Sequence, residues 1–521
     1  MMSTGPDNPS SAAGRGHLAS IVKGGVTSFS GKIAGGAITY ATSLLMARIL
    51  GAADFGLFFL GFSIVRFCSN LVTLGMDNSV VRYVPIYQAD GSMAKLKGLL
   101  RQCLAIPAAS GLVVCGALLI AAGPASAHFF HKPELTPVIQ ALAVALPFFP
   151  VMMVASFATR GFQTMKYSVL IVSYVQPAVN LLLILSALIL FHSRLGGVLL
   201  AYPVSVIVGA LLAVHFLRRL TPVLDAPVKP EYDTRGLLAY SVPTFASGFL
   251  VVIMVSMDTI MLGYFGNCRD VGIYNAAART SMLAGVIGSS FAGIFAPVIS
   301  KLYHRRELEE LATVFRTVAR WNFAVSVPLF IFIAFFSHSI MALFGSEFTE
   351  GRTVLIFLAF AQMIAAATGF TGGMLLMSGR QNVMFWNSAG MCAANAALNL
   401  LLIPIYSALG AAIATATTII VYNALMLAEV YVVFRVLPFG SGYFKVIIAG
   451  LLPALLLLFL KWHIPVAVPL FLLVGGLAGV YAVLFGLLMW ALRFSAEDKL
   501  LIGFLKQTLR EKQSGEAGTG G

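Results

Sequence analysis

The chain has 521 residues, 59% of them hydrophobic and only 10% charged, with a mean hydropathy of +0.91. A soluble domain carries roughly 25% charged residues, so the composition excludes a soluble enzyme and describes a chain embedded in lipid. The formal net charge of +14 then belongs to loops on one membrane face rather than to a basic binding domain, and nucleic acid is excluded as a partner.

Residues 1–22 are polar, rich in Ser, Gly, Pro and Ala near the start, and lack the apolar stretch and cleavage site of a signal peptide. They read as a disordered cytoplasmic tail. Fourteen apolar spans follow, at 26–50, 54–80, 99–123, 136–160, 168–190, 196–217, 237–264, 271–299, 318–343, 353–378, 382–403, 408–434, 443–460 and 466–492. Each approaches the roughly 20 residues a helix needs to cross a bilayer. Their continuous apolar character excludes the alternation of a membrane β-barrel. The expected fold is an all-α polytopic membrane protein with about 14 transmembrane helices.

Basic residues mark one side. Arg82, Lys95, Lys97 and Arg101 share one connection; Arg218, Arg219, Lys229 and Arg235 share another; Lys301, Arg305, Arg306, Arg316 and Arg320 a third; the C-terminal segment adds Arg493, Lys499, Lys506, Arg510 and Lys512. About 25 of the basic residues fall on this side and about six on the other, which predicts that both termini are cytoplasmic.

The halves repeat. Asp54-Phe55-Gly56-Leu57-Phe58 recurs as Asp270-Val271-Gly272-Ile273-Tyr274, and Asn180-Leu181-Leu182-Leu183-Ile184 as Asn399-Leu400-Leu401-Leu402-Ile403. Leu195-Gly196 recurs as Leu409-Gly410, and a basic residue beside a glycine recurs at Arg160-Gly161 and Gly379-Arg380. A preserved order at an offset a little over two hundred residues means two duplicated six-helix units. An even number of spans per unit makes the repeat parallel, with a pseudo-twofold axis along the membrane normal. The domains expected are 1–22 tail, 23–220 N-lobe (helices 1–6), 221–236 cytoplasmic linker, 237–436 C-lobe (helices 7–12), 437–494 helices 13 and 14, and 495–521 cytoplasmic tail.

Polar stripes run inside several spans. Ser28, Lys32, Gly35, Gly36, Thr39 and Ser43 follow one helical face of the first span, and Ser63, Arg66, Asn70, Thr73 and Asp77 one face of the second. Small residues alone fit helix packing. Lys32 and Arg66 point to a water-filled cavity, because a cation in hydrocarbon costs at least about 2.5 kcal/mol. Arg279 lies one turn past Asn275 in the eighth span, and corresponds to Arg66 of the first half. Asp258 lies at similar depth in the seventh span, so an Asp258–Arg279 pair is plausible, either as simple neutralisation or as a switch opened by substrate or a cation. The residues expected to bind substrate in a central cavity are Lys32, Arg66, Asn70, Asn275 and Arg279, with Asp258 the candidate for ion coupling. Asp77 and Glu429, nearer the cytoplasmic ends, read as snorkelling or pairing residues, Arg48 as interfacial, and Tyr83, Tyr87, Trp321, Trp386 and Trp462 as interface anchors. Prolines from Pro85 to Pro328 and the pair Gly372-Gly373 mark bends or packing sites.

His128 and His131 lack a third ligand, so no metal is expected, and the five cysteines show no metal-like spacing. No Walker loop, catalytic Ser/His/Asp set or carboxylate pair stands out, so the chain reads as a transporter rather than an enzyme, with no cofactor.

The run Gly35-Gly36 through Leu50-Gly51-Ala52-Ala53-Asp54-Phe55-Gly56, followed by Leu74-Gly75-Met76-Asp77 and Arg82-Tyr83, resembles the polysaccharide and O-antigen flippases of the multidrug/oligosaccharidyl-lipid/polysaccharide (MOP) exporter superfamily. The resemblance covers all fourteen spans; the motif around Leu50 to Gly56 is its most specific part. It implies two six-helix lobes in a V, with helices 13 and 14 offering a groove for a lipid tail. It also implies transport of an oligosaccharide on a polyprenyl diphosphate by rocking of the lobes. Lys32, Arg66 and Arg279 would then meet the diphosphate or acidic sugars. Partners implied are the lipid-linked oligosaccharide, membrane lipids and polysaccharide assembly proteins. Alternatives are a drug or organic-cation antiporter of the same superfamily, which a cationic cavity disfavours and the lack of an acid in the first span weakens. A membrane-embedded glycan polymerase or ligase is disfavoured by the short outer connections. A scaffold for glycan assembly is the third.

Overall fold

In the computed structural model the backbone is described for residues 9–191, 195–439, 442–463 and 470–491, and side chains for most of these outside 9–29 and 284–298. Every described regular element is helical, as backbone groups in lipid require. Helix α1 (9–50) begins inside the stretch expected to be an irregular tail; its first residue, Pro9, has the fixed φ that suits a helix start. The tail 495–521 and Trp462's side chain lie outside what is described.

A sharp kink at Gly51 (φ 75°) separates α1 from α2 (52–89), which is itself broken at Leu74 and Gly75, both at positive φ. Then come α3 (Met93–Pro124), which ends in a π-helical turn at Ala125–Phe129, α4 (Leu135–Gly161), α5 (165–191) and α6 (Leu195–Leu220). The second set is α7 (Thr234–Phe265), α8 (Cys268–His304), α9 (Leu308–Ala342), α10 (352–377), α11 (381–406) and α12 (408–434), the last two separated by a kink at Ser407. Ser407 holds a φ of 50°, and its hydroxyl donates to Asp270 Oδ2 at 2.6 Å. Two further apolar helices, α13 (Gly442–His463) and α14 (Leu470–Ala491), complete the fourteen.

The turns after α1, α3, α7, α9 and α11 lie on one face of the bundle, here called distal; the face that carries the connections after α2, α4, α6 and α8 is proximal. Buried side chains divide unequally between the two. One core, including Phe55, Leu60, Val138, Val271, Phe344 and Leu355, runs through both lobes in the distal half and continues beside α9 to Tyr443 and Val446 of α13. In the proximal half the cores are separate: Met76, Leu100, Met152 and Leu217 in the first lobe, Phe315, Leu375 and Met426 in the second. The two lobes of the V are fused distally by one core and carry separate cores proximally, where α7 still lies against α2 through Ser79–Ser241 (2.7 Å), Phe67–Phe249 and Arg82 over the Tyr240 ring. The first turns of α7 join the first lobe's core through Leu237.

The repeated Asp-x-Gly-x-aromatic motifs meet at the fused end. A Cβ on Gly56 would collide with the Cys268 carbonyl oxygen, and a Cβ on Gly272 would collide with that of Ala52. Ala52 and Cys268 are each four residues before their own glycine, so the contact is the same read from either side. Helices α2 and α8 cross backbone to backbone on the pseudo-twofold axis, and only glycine permits that approach.

Candidate functional site

The crossing at Gly56 and Gly272 brings the embedded arginine of α8 against the first lobe. Arg279 Nη1 lies 3.4 Å from Ser43 Oγ of α1, and its guanidinium carbon sits 4.1 Å from the centre of the Phe59 ring on α2. A cation over an aromatic face is stabilised by about 0.5–2 kcal/mol, less than the cost of holding a guanidinium away from water. Arg279 Nε is buried and donates to no atom of the described residues. The neighbouring Tyr40 hydroxyl and Thr280 Oγ1, 3.2 Å apart, tie the same two helices together.

Arg66 is exposed on α2, seven residues past Phe59 and hence on the same face, about 10 Å nearer the proximal side. It is within electrostatic reach of both Arg279 and Tyr202. Asn70, one turn further, donates to the Arg66 carbonyl at 2.9 Å. On α1, Ser43, Thr39, Gly36 and Lys32 share a face; Gly36 has open space beside it and Lys32 is exposed. Lys32 lies about 16 Å along the helix from Ser43. Three cations thus descend from a half-buried position, where the shared core begins, to exposed positions in the proximal half.

Arg66 and Arg279 are not at equivalent places in the repeat. Arg66 follows Asp54 by twelve residues and Arg279 follows Asp270 by nine, so the two are displaced by most of a helical turn. The bases meet in space but do not descend from one ancestral position.

Asp258 and Asn275 belong to a second centre, inside the second lobe. Asp258 is 4% exposed. Its Oδ2 accepts from Tyr274 Oη at 2.6 Å and from Thr415 Oγ1, and its Oδ1 accepts from Asn399 Nδ2 at 2.7 Å. Asn395 supports the set through its Oδ1, which accepts from Asn399 at 3.2 Å. Asn275 donates to Thr259 Oγ1 at 3.3 Å and to the Val271 carbonyl, which ties it between α7 and α8. The Asp258–Arg279 ion pair does not form: the only ion pairs among the described residues are Arg269–Glu350 and Arg305–Glu307. Helical geometry explains why. Tyr274 points at Asp258, and Arg279, five residues on, is rotated about 140° away, toward the first lobe. Tyr274, Asn395, Asn399 and Thr415 were absent from the expected site. Tyr274 and Asn399 stood out only as parts of repeats.

Three contacts hold the lobes together at the distal face, each between a charge and a helix end. Arg48 donates to the Leu343 carbonyl at the end of α9 (2.7 Å). Lys132 donates to the Gly263 and Gly266 carbonyls at the end of α7 (2.7 and 2.9 Å). Glu347 accepts from Ala52 N in the first turn of α2 (3.0 Å). Cations meet helix C-termini and the anion meets an N-terminus, as the helix dipole favours. Arg48 is therefore an inter-lobe contact rather than only an interfacial residue.

Elsewhere, Arg160 Nε donates to Ser168 at 2.9 Å and lies within electrostatic reach of Asp77, and Asn387 donates to both carboxylate oxygens of Glu429 at 2.8 Å. No group of three or more His, Cys, Asp and Glu side chains placed to hold a metal occurs among the described residues.

The polysaccharide biosynthesis protein family matches residues 21–303, more than half of the chain, and the MatE family matches residues 243–401. The chain belongs to the polysaccharide biosynthesis protein family, and with it to the MOP exporter superfamily. It is 24% identical to the uncharacterized membrane protein MJ1068 of Methanocaldococcus jannaschii over 460 residues, 81% of this chain and 86% of that protein. It is 27% identical over 199 residues to the probable low-salt glycan biosynthesis flippase Agl15 of Haloferax volcanii; that match covers 38% of this chain and under half, 42%, of the relative. Among solved structures, the lipid II flippase MurJ in an inward closed conformation superposes with a TM-score of 0.68 at 12% identity, over 90% of this chain and 98% of MurJ, which establishes the shared fold.

Proposed function

We propose that this protein flips a polyprenyl-diphosphate-linked oligosaccharide, the repeat unit of a surface polysaccharide, across a bacterial inner membrane by alternating access. The observation that carries the reading is the descent of cations, Lys32 to Arg66 to Arg279, ending on a guanidinium with an unused buried donor. An anion entering from the proximal side meets increasing burial, where each charge–charge contact strengthens as water is excluded. A sugar headgroup stripped of water loses several kcal/mol per hydrogen bond by cyclohexane-type scales, so a polar path between the lobes removes the main barrier. Family membership and the named flippase relative support the same class of cargo.

In this reading residues 23–220 and 237–436 are the rocking lobes, with 221–236 the linker between them. The proximal face, which carries most of the basic loops, is cytoplasmic together with both termini. The protein transports its cargo and does no covalent chemistry on it. The distal charge–helix contacts then close the outer side, and their release opens it. Asp258, set among Tyr274, Asn399 and Thr415 on helices of one lobe, is the coupling residue: a bound proton or monovalent cation would change how those helices pack. The MatE match over residues 243–401 includes this set up to Asn399. A drug-cation antiporter is disfavoured because the same three bases repel organic cations.

The test is transport. Liposomes holding the purified protein and a labelled polyprenyl-diphosphate oligosaccharide should lose inward-to-outward movement when Arg279→Ala or Arg66→Ala is introduced, with insertion unchanged. Undiminished movement in both variants overturns the proposal and favours a scaffold role in glycan assembly.

A further inference from the structure

A second feature lies on the outside of the first lobe, away from the cation descent. Helix α4 is not regular at its middle. Ala145 N, Leu146 N and Phe148 N donate to the carbonyls three residues back, at Leu142, Ala143 and Ala145. This tightened stretch spans Pro147, which has no N–H to give to the normal ladder. Gly111 of α3 lets the Leu146 carbonyl come close, since a Cβ there would meet that oxygen. At this break a cavity of about 540 Å³ opens between α3, α4 and α6. Ala108, Pro147, Phe148, Val151, Ala210, Leu211 and Val214 give it apolar walls, and His215 and Arg218 close it at one end.

The cavity has a direction. Ala108 and Pro147 are mid-helix, and Arg218 is in the last turn of α6, at the proximal face. Leu211, Val214, His215 and Arg218 follow one face of α6 over about 10 Å. The feature therefore runs from the apolar middle of the membrane to an exposed cation at its surface. Arg218 makes no ion pair among the described residues, and Arg219 beside it adds a second positive charge. A basic residue at a membrane surface attracts anionic headgroups by about 1 kcal/mol per charge, and an apolar cavity of this size takes a ligand no larger than a drug-sized molecule, which is room for one acyl chain.

We propose that this groove is a site for one anionic glycerophospholipid of the proximal leaflet, with its phosphate at Arg218 and His215 and an acyl chain along Val214, Val151 and Ala108. Charge complementarity selects the headgroup, and the break in α4 provides the room for the chain. A bound lipid here braces α4 against α6 in the first lobe and makes the stability of that lobe depend on leaflet composition.

Native mass spectrometry of the full-length protein, released from nanodiscs of equal phosphatidylglycerol and phosphatidylcholine, reads the site. Phosphatidylglycerol adducts should exceed phosphatidylcholine adducts several-fold. Arg218→Gln, at an exposed position that does not endanger folding, should abolish that preference, and Val214→Trp should reduce adducts of both lipids by filling the groove. Arg306→Gln, a basic residue of the second lobe's proximal face, should leave the preference intact. Equal retention of the two lipids, or the same loss in Arg306→Gln as in Arg218→Gln, overturns the proposal. Displacement of phosphatidylglycerol from the wild type by added undecaprenyl phosphate at equimolar amounts also overturns it, by assigning the groove to a prenyl chain.

Discussion

The two lobes share a plan but differ at their polar centres. Counting from the repeated motif, the position of Asp258 in α7 corresponds to Thr42 in α1, whose hydroxyl merely returns to the Ile38 carbonyl of its own helix. Asn399 of α11, fully buried, donates to Asp258, whereas no carboxylate stands beside its counterpart Asn180 in α5 among the described hydrogen bonds; the carbonyl oxygens of both are buried with no donor among the described residues. The second lobe thus holds a carboxylate in a network of three donors from three other side chains, and the first lobe keeps only the outline of that network. The first lobe contributes instead Lys32, Arg66, Ser43 and Phe59 to the inter-lobe space. Duplication supplied the frame, and divergence separated an acidic centre within one lobe from a cationic one between the two.

The most severe way to break this arrangement is at the axis both lobes share. Gly56→Val and Gly272→Val should each prevent the backbone crossing of α2 and α8, and because the contact is the same from both sides, the two losses should be similar. Loss of function should be near complete in each, read by transport and by failure of cysteine pairs across the distal face to cross-link. A large inequality between the variants contradicts the symmetric crossing.

The next effect separates the lobes. Asn399→Leu removes a donor from a buried carboxylate and should destabilise the protein by about 2–4 kcal/mol, whereas Asn180→Leu leaves no carboxylate without its donor and should cost about 1 kcal/mol or less. Thermal unfolding in detergent measures both. Asp258→Asn, which preserves shape but not charge, should make transport independent of the coupling cation; retained cation dependence would remove Asp258 from that role.

Smaller effects are expected at the distal contacts. Lys132→Met and Glu347→Gln each weaken one charge–helix-end contact, worth about 0.3–1 kcal/mol. Either should shift the protein toward a state with the distal ends apart, seen as a longer spin-label distance between the turns after α3 and α7. The shift should be larger in the double variant. The smallest effect belongs to Glu350. The Arg269 guanidinium, 2.8 Å away, holds the Glu350 carboxyl below its usual range. A depressed carboxyl contributes stability above its unfolded pKa and loses it as pH falls through the folded value. Both groups are solvent-exposed, so Glu350→Gln should leave the unfolding temperature unchanged within error at neutral pH.

Much of the frame was legible in the sequence because span length, the side bias of basic residues and the internal repeat are local or periodic signals. The embedded cations were legible for a related reason: a charge in an apolar run is costly wherever it points. Their partners were not. Whether Arg279 faces Asp258 or Ser43 depends on how α8 is rotated, and that rotation is set by the Gly56–Gly272 crossing between residues more than two hundred positions apart. The repeated motif was visible, but its role as the contact between the copies was not. Thr415 was silent because a Ser or Thr hydroxyl in a membrane helix normally bonds its own backbone, as Thr42 does, and Tyr274 was visible only as the aromatic of the repeated motif. Arg48 read as interfacial, and Lys132 did not stand out, because a helix end belonging to the other lobe leaves no trace in the sequence around them.

The central claim, that Arg279 keeps a donor for an anion between the lobes, is tested most directly by binding. Affinity for undecaprenyl diphosphate and for uncharged undecaprenol is compared in wild type and Arg279→Gln. The account predicts that the wild type prefers the diphosphate, and that the variant loses about tenfold to a hundredfold of that affinity with undecaprenol binding unchanged. Equal affinity of wild type and variant for the diphosphate would contradict it.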